Sequence, residues 1–187
     1  MEPPSCVGSD TMSSDLFKMP PFDKKGRLLA IIETPKGSRN KFNYDPSHGL
    51  FKLGGVLPAG ASFPFDFGFV PSTKGEDGDP LDVLLLMDEP AFPGCLVEAR
   101  LIGVIEAEQT EKDGAERNDR LVAVAENCRS HKGLDDLSKL DENLLAEIEH
   151  FFVSYNQAKG KKFKPLGRGG PQRARDLVEA GRRAARK

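Results

Sequence analysis

A chain of 187 residues that is 38% hydrophobic and 30% charged has the balance of one ordinary globular domain with short tails, not of a disordered or fibrous chain. No apolar run approaches the roughly 18 residues needed to span a bilayer, because the longest, Leu81 to Met87, is interrupted by Asp82. The net charge of −2 conceals an asymmetry: Lys159 to Lys187 holds 11 Lys and Arg against Asp176 and Glu179, which leaves −11 on the preceding residues.

Residues 1–22 mix Pro, Ser, Gly and Met without periodicity and are expected to form a tail that carries no chemistry. They show neither a basic n-region nor an apolar h-region. Cys6, Cys95 and Cys128 are odd in number, widely spaced and without a C-x-x-C pair, so neither a disulfide framework nor a zinc knuckle is expected. A cytoplasmic location fits these features.

From Arg27 onward the text becomes strand-like. Leu28 to Ile32 is a short apolar run, and Lys41 to Tyr44 and Gly49 to Leu53 alternate before the Gly54-Gly55 pair. Asp66 to Pro71, Leu81 to Met87, Cys95 to Ile105 and Leu121 to Ala125 continue the pattern between clusters of Gly, Pro, Asp and Asn. Phe63, Phe65, Phe67 and Phe69 alternate, which places an aromatic face in the core, with Phe63 and Phe67 as candidates for a site mouth. After residue 126 the period changes. Leu137, Leu140, Leu144, Leu145, Ile148, Phe151, Phe152 and Tyr155 recur at i, i+3 and i+4, which predicts a helix with Asp141 as N-cap and Gly160 as stop; on it His150 is expected to pack or cap. Gln172 to Arg186 reads as a second, basic helix, and the basic C-terminal segment is expected to pair with the acidic body or with a neighbouring subunit.

These elements predict an α+β, mainly β fold: a closed OB-like β-barrel with two or three helices outside it. The expected organisation is a tail at 1–22, a barrel domain with its packed helix at 23–165, and a basic helix or tail at 166–187.

The chemistry concentrates in Gly75-Glu76-Asp77-Gly78-Asp79-Pro80-Leu81-Asp82-Val83, four carboxylates within seven residues just ahead of an apolar strand. Mutual repulsion makes that costly unless a cation sits among them. In extended chain Asp77 and Asp79 share a side, and a bend at Pro80 can bring Asp82 round to them. Three hard oxygen donors suit Mg²⁺, or Mn²⁺. An EF-hand is excluded because Leu81 stands where an oxygen ligand is required.

The segment Asp77-Gly78-Asp79-Pro80-Leu81-Asp82-Val83 resembles the signature of the family I soluble inorganic pyrophosphatases. Further matches follow in order: Ile32-Glu33-Thr34-Pro35, Lys41, Phe63-Pro64, Gly68, Pro93-Gly94, Gly103-Val104, Arg120 to Val124, and His150-Phe151-Phe152 with Tyr155. The resemblance implies a barrel that hydrolyses pyrophosphate with Mg²⁺. It implies metal ligation by Asp77, Asp79, Asp82 and Asp113 with support from Glu33, proton transfer to Asp79, and a substrate site made by Lys41, Arg120, Tyr155 and Phe67. It also implies a small phosphate substrate and a homo-oligomer, with Leu137 to Tyr155 as a candidate interface helix; neither a membrane nor a nucleic-acid partner is expected, from the short apolar runs and from reading the basic segment as a solvated helix.

The chain departs from the family pattern at Asn43, Phe63, Phe67, Asn118 and Asn156, and an expected arginine falls at Gly54 or Gly55. These changes put activity on pyrophosphate in question and leave one phosphate pocket poor in cations, with Arg39, Lys52, Arg117, Lys164 and Arg168 as possible replacements. Two other readings therefore stand beside hydrolysis of pyrophosphate: the same metals acting on another phosphoanhydride or phosphate ester, and a non-catalytic metal- or phosphate-binding member.

Overall fold

The computed structural model describes residues 16–111 and 114–186. In chain order the elements are β1 (Leu28–Thr34), β2 (Asn40–Asp45), β3 (Leu50–Val56), β4 (Asp66–Phe69), β5 (Asp82–Leu86), β6 (Leu96–Glu111), β7 (Gly114–Arg117), β8 (Arg120–Ala125), α1 (Glu142–Ala158), β9 (Lys162–Gly169) and α2 (Pro171–Ala184), with single 3₁₀ turns at Leu16–Lys18 and Leu137–Lys139. The architecture is mainly β with two α-helices.

The main sheet runs β1-β4-β5-β8-β6-β7, and β9 adds to β6. β1 also pairs with β6 through Leu28 to Ile31 while its far end pairs with β4. Every residue of β1, β5 from Val83 onward and all of β8 are buried; the apolar runs Leu28 to Ile32, Val83 to Leu86 and Leu121 to Ala125 account for most of this, and Glu33, Thr34 and Arg120 are buried polar or charged residues at the strand ends. β2 and β3 form a separate hairpin. Close strand packing makes one glycine obligatory: a Cβ on Gly68 in β4 would lie 1.9 Å from the Ile31 carbonyl oxygen.

α1 begins where its sequence says it should. The Asp141 carboxylate accepts from the Asn143 and Leu144 amides, and Gly160 at φ +75° follows the last turn. Its buried stripe is Leu145, Ile148, Phe152 and Asn156. Phe152 is 1% exposed and packs against Phe67, Phe151 and Phe163, tying α1 to the sheet; burying such a side chain contributes about 1.5–3 kcal/mol.

Three expectations change. The apolar period beginning at Leu137 is split, because residues 137–139 form a 3₁₀ turn and α1 starts at Glu142. Residues 166–169, read as the start of a basic helix or tail, belong with 162–165 to strand β9, so the boundary at 165/166 falls inside an element of the main sheet. His150 neither packs nor caps: it is exposed and shares a 3.1 Å hydrogen bond with the Ser154 hydroxyl. The basic C-terminal segment does pair with the acidic body, through Arg168 with Glu142 and Glu149, and through Arg173 with Glu106. Among the described residues no helix is long and apolar enough to cross a membrane.

Candidate active site

A cavity of about 540 Å³ opens between the aspartate loop, the β2 strand, the β6–β7 ladder and the end of α1. The loop is shaped by its own backbone. The Gly75 amide donates to the Asp79 carbonyl at 2.7 Å, the Asp79 amide donates to the Asp77 carboxylate at 3.1 Å, and Gly78 takes φ +88°, a left-handed conformation that suits glycine. Pro80 then turns the chain into β5, whose first residue is Asp82. Asp77, Asp79 and Asp82 thus border one cavity.

Burial foremost, and the neighbouring Asp82 and Asp79 charges, hold the Asp77 carboxyl above its usual range. The triad is not drawn together, however. Among the described residues no three His, Cys, Asp or Glu side chains stand close enough to hold an ion. One reason is visible: the Asp82 carboxylate is paired with the Arg120 guanidinium at 2.6 Å. The donor set still fits a hard divalent cation, since three carboxylates border one space and repel one another there.

Arg120 opens β8, directly beside Asp82 in the parallel β5–β8 ladder. Its guanidinium lies over the rings of Phe152 and Phe163, 5.1 and 5.4 Å from their centroids, and donates to the Asn118 side-chain oxygen and the Asp119 carbonyl. Its Nε is buried without a partner.

On the opposite wall the Lys41 ammonium donates to Glu33 at 2.8 Å and sits 4.5 Å above the Phe67 ring. Glu33 also accepts from the Tyr44 amide at 2.8 Å. Burial raises the Glu33 carboxyl against the pull of Lys41. The expected support for the metals is therefore engaged with β2. Tyr155 reaches the cavity from α1, and burial, reinforced by the Asp82 charge, pushes its phenol up to about 12.

Of the residues named from the sequence, Glu33, Lys41, Phe67, Asp77, Asp79, Asp82, Arg120 and Tyr155 all line this cavity, as do Asn43, Asn118 and Asn156. Phe63 does not: it is 1% exposed and packs on Phe67, Phe151 and Tyr155. Asp113 lies outside the described residues. Gln109, Glu116 and Asn118 also line the cavity, with the Asn118 amide donating to the Gln109 side-chain oxygen at 3.2 Å.

None of the proposed replacement cations lines the cavity. Arg39 donates to the Leu57 carbonyl, Arg117 pairs with Glu106 and Asp119, and Arg168 with Glu142 and Glu149. Lys159 and Lys161, beyond the end of α1, line it instead. The signal for Lys159 was available, since it follows Tyr155 by four residues and shares its helix face. No comparable signal marks Gln109, whose place depends on how far β6 runs and in what register.

The model of the inorganic pyrophosphatase family matches residues 30–186. The chain is 37% identical to the inorganic pyrophosphatase of Synechocystis over 153 residues, 82% of this chain and 88% of that protein. It is 40% identical to the inorganic pyrophosphatase of Halalkalibacterium halodurans over 135 residues, 72% and 80% of the two chains. The crystal structure of inorganic pyrophosphatase from Thermus thermophilus superposes with a TM-score of 0.84 at 35% identity, covering 93% of this chain and all of that one. With the match running from β1 through α2, the chain belongs to the inorganic pyrophosphatase family.

Proposed function

We propose that this protein hydrolyses inorganic pyrophosphate to two phosphates with Mg²⁺, by in-line attack of water. The observation that carries the reading is one cavity bordered by Asp77, Asp79 and Asp82 on one side and by Lys41, Arg120 and Tyr155 on the others. Relatives sharing 37–40% identity over most of the chain carry the name inorganic pyrophosphatase, which weighs against a different phosphoanhydride or ester and against a non-catalytic role. Asp77, Asp79 and Asp82 would hold the metal. Bound Mg²⁺ supplies charge neutralisation at the phosphoryl oxygens and a lowered pKa for coordinated water; Mn²⁺ has the same preference for oxygen donors.

The remaining work belongs to the side chains. Asp79, on the exposed tip of the loop, accepts the proton of the attacking water. Lys41 and Arg120 bind phosphoryl oxygens, Arg120 with a fork matched to two of them. With its phenol near 12, Tyr155 stays protonated at neutral pH and donates to phosphate. Phe67 presents an apolar ring where it steers the Lys41 ammonium. We read Glu33 as fixing Lys41, and Asp113 as a further ligand from outside the described residues. The β1–β6 pairing is read as closing an OB-like barrel, with 1–22 as a tail and the basic segment from 166 as its outer buttress. A homo-oligomer in the cytoplasm, with no membrane or nucleic-acid partner, completes the proposal.

Phosphate release from pyrophosphate in the presence of Mg²⁺ tests it. The expected result is turnover that Asp79→Asn lowers by about 10²- to 10⁴-fold. A rate equal to the enzyme-free control, with turnover of nucleotide or sugar phosphates instead, would overturn it.

A further inference from the structure

Pyrophosphate carries two phosphoryl groups, and two of the cations that line the cavity are already ion-paired. Lys41 is held by Glu33 at 2.8 Å and Arg120 by Asp82 at 2.6 Å. The helix position beside Tyr155 offers no charge, because Asn156 is 2% exposed and turns its amide back to donate to the Phe152 carbonyl at 2.9 Å.

Lys159 differs from these cations. Its ammonium bonds a neutral group, the Tyr155 hydroxyl, and lies 4.2 Å above the Tyr155 ring. The residue as a whole is exposed, yet the folded-back ammonium is partly withdrawn from water, which holds its pKa below the usual lysine range, with Lys41 and Lys161 adding to the effect. Lys159 lines the same cavity as Lys41, Asp82 and Tyr155.

The bond has a direction. An ammonium only donates, so the Tyr155 oxygen accepts from Lys159 and its own proton is left to point elsewhere. The open direction is the cavity. A phosphoryl oxygen arriving there meets a phenol proton and an ammonium charge side by side, and the donation polarises the phenol as it binds.

We propose that Lys159 and Tyr155 form a coupled anion-binding pair that grips the phosphoryl group lying toward α1, with Lys159 supplying the charge and fixing the direction of the Tyr155 proton. The proposal rests on the hydrolytic reading for the identity of the substrate, and its test separates the two. In wild type, Lys159→Met, Lys159→Arg, Tyr155→Phe and the Lys159→Met/Tyr155→Phe double variant, pyrophosphate turnover is measured together with binding of methylenediphosphonate in Mg²⁺ by calorimetry. Mg²⁺ affinity and melting temperature serve as controls for the metal site and the fold.

Lys159→Met is expected to raise KM and to weaken diphosphonate binding by about 10- to 100-fold, the usual effect of losing a charge-assisted hydrogen bond, with kcat and Mg²⁺ affinity changing by less than about threefold. Lys159→Arg should recover most of the loss, and the double variant should lose little beyond the worse single variant. Unchanged KM and diphosphonate affinity in a folded Lys159→Met overturns the proposal, as does a folded Lys159→Arg that is equally impaired. Diphosphonate binding that depends on Lys159 without any pyrophosphate turnover would overturn the hydrolytic reading and keep this pair. Turnover that ignores Lys159 would do the reverse, and neither binding nor turnover would overturn both.

Discussion

Replacing Arg120 with methionine removes the cation that now occupies Asp82 and asks what the aspartate does when released. Arg120 is 4% exposed, and its guanidinium pairs with Asp82 at 2.6 Å and lies over two aromatic rings. Breaking a fully buried pair from one side costs about 3–5 kcal/mol. The Asp82 side chain is 25% exposed, so water recovers part of its charge and brings that figure to roughly 2–3 kcal/mol. Methionine also relieves the partnerless Nε, worth about 1 kcal/mol, and keeps soft contact with Phe152 and Phe163. The net expectation without divalent ions is a loss of about 1–2 kcal/mol, or a Tm lower by about 2–8 °C for a chain of this size. Because Asp82 is then free to join Asp77 and Asp79, Mg²⁺ should raise the Tm of Arg120→Met by more than it raises that of wild type. Thermal unfolding with and without millimolar Mg²⁺ is the assay. A variant as stable as wild type, or one whose Mg²⁺ response is equal or smaller, would refute the reasoning.

Asp79→Asn keeps the size of the side chain and removes the proton acceptor; kcat for pyrophosphate should fall by about 10²- to 10⁴-fold while circular dichroism stays native. Gly68→Ala drives a methyl into the Ile31 carbonyl across the β1–β4 pair, at 1.9 Å before relaxation; urea unfolding should show a loss of about 3 kcal/mol or more, or no folded protein. Asp88 accepts from the Ser130 hydroxyl and from the Arg129 and Ser130 amides, which holds its carboxyl far below the usual range. Its folded pKa is depressed, so its stabilisation is present above the ordinary aspartate pKa and is lost as pH falls through the folded one. The stability advantage of wild type over Asp88→Asn should therefore be full at neutral pH and shrink on acidification below about pH 4; an advantage independent of pH would contradict the assignment.

The parts of the fold that were legible are those where local signals agree. α1 has a capping aspartate, an apolar stripe and a terminal glycine, and β1 from Leu28 to Ile32 and β8 from Leu121 to Ala125 are apolar runs. β9 escaped because its eight residues are mostly basic or conformationally special, with one fully buried side chain, Phe163. It exists because β6 runs on to Glu111 and offers an edge, and Pro165 is tolerated where the register slips between Glu106 and Ala107. The site followed the same division. Asp77, Asp79 and Asp82 are contiguous and could be read as a unit, and Lys41, Arg120 and Tyr155 came from the family resemblance. Gln109 depends on strand register, which no spacing rule encodes, whereas Lys159 stands four residues after Tyr155, a spacing that marks a shared helix face. The Asp82–Arg120 pair was hidden for a related reason: the two residues are far apart in the chain and meet through a parallel ladder.

The central claim is that the aspartate loop and the first residue of β5 together hold a divalent cation facing the phosphate-binding wall. Anomalous diffraction from crystals grown with Mn²⁺ and methylenediphosphonate reads this directly. The account predicts an anomalous peak within ligand distance of the Asp77, Asp79 and Asp82 carboxylates, with Asp82 drawn off Arg120. A diphosphonate bound in the cavity with no ion beside those three carboxylates would contradict it.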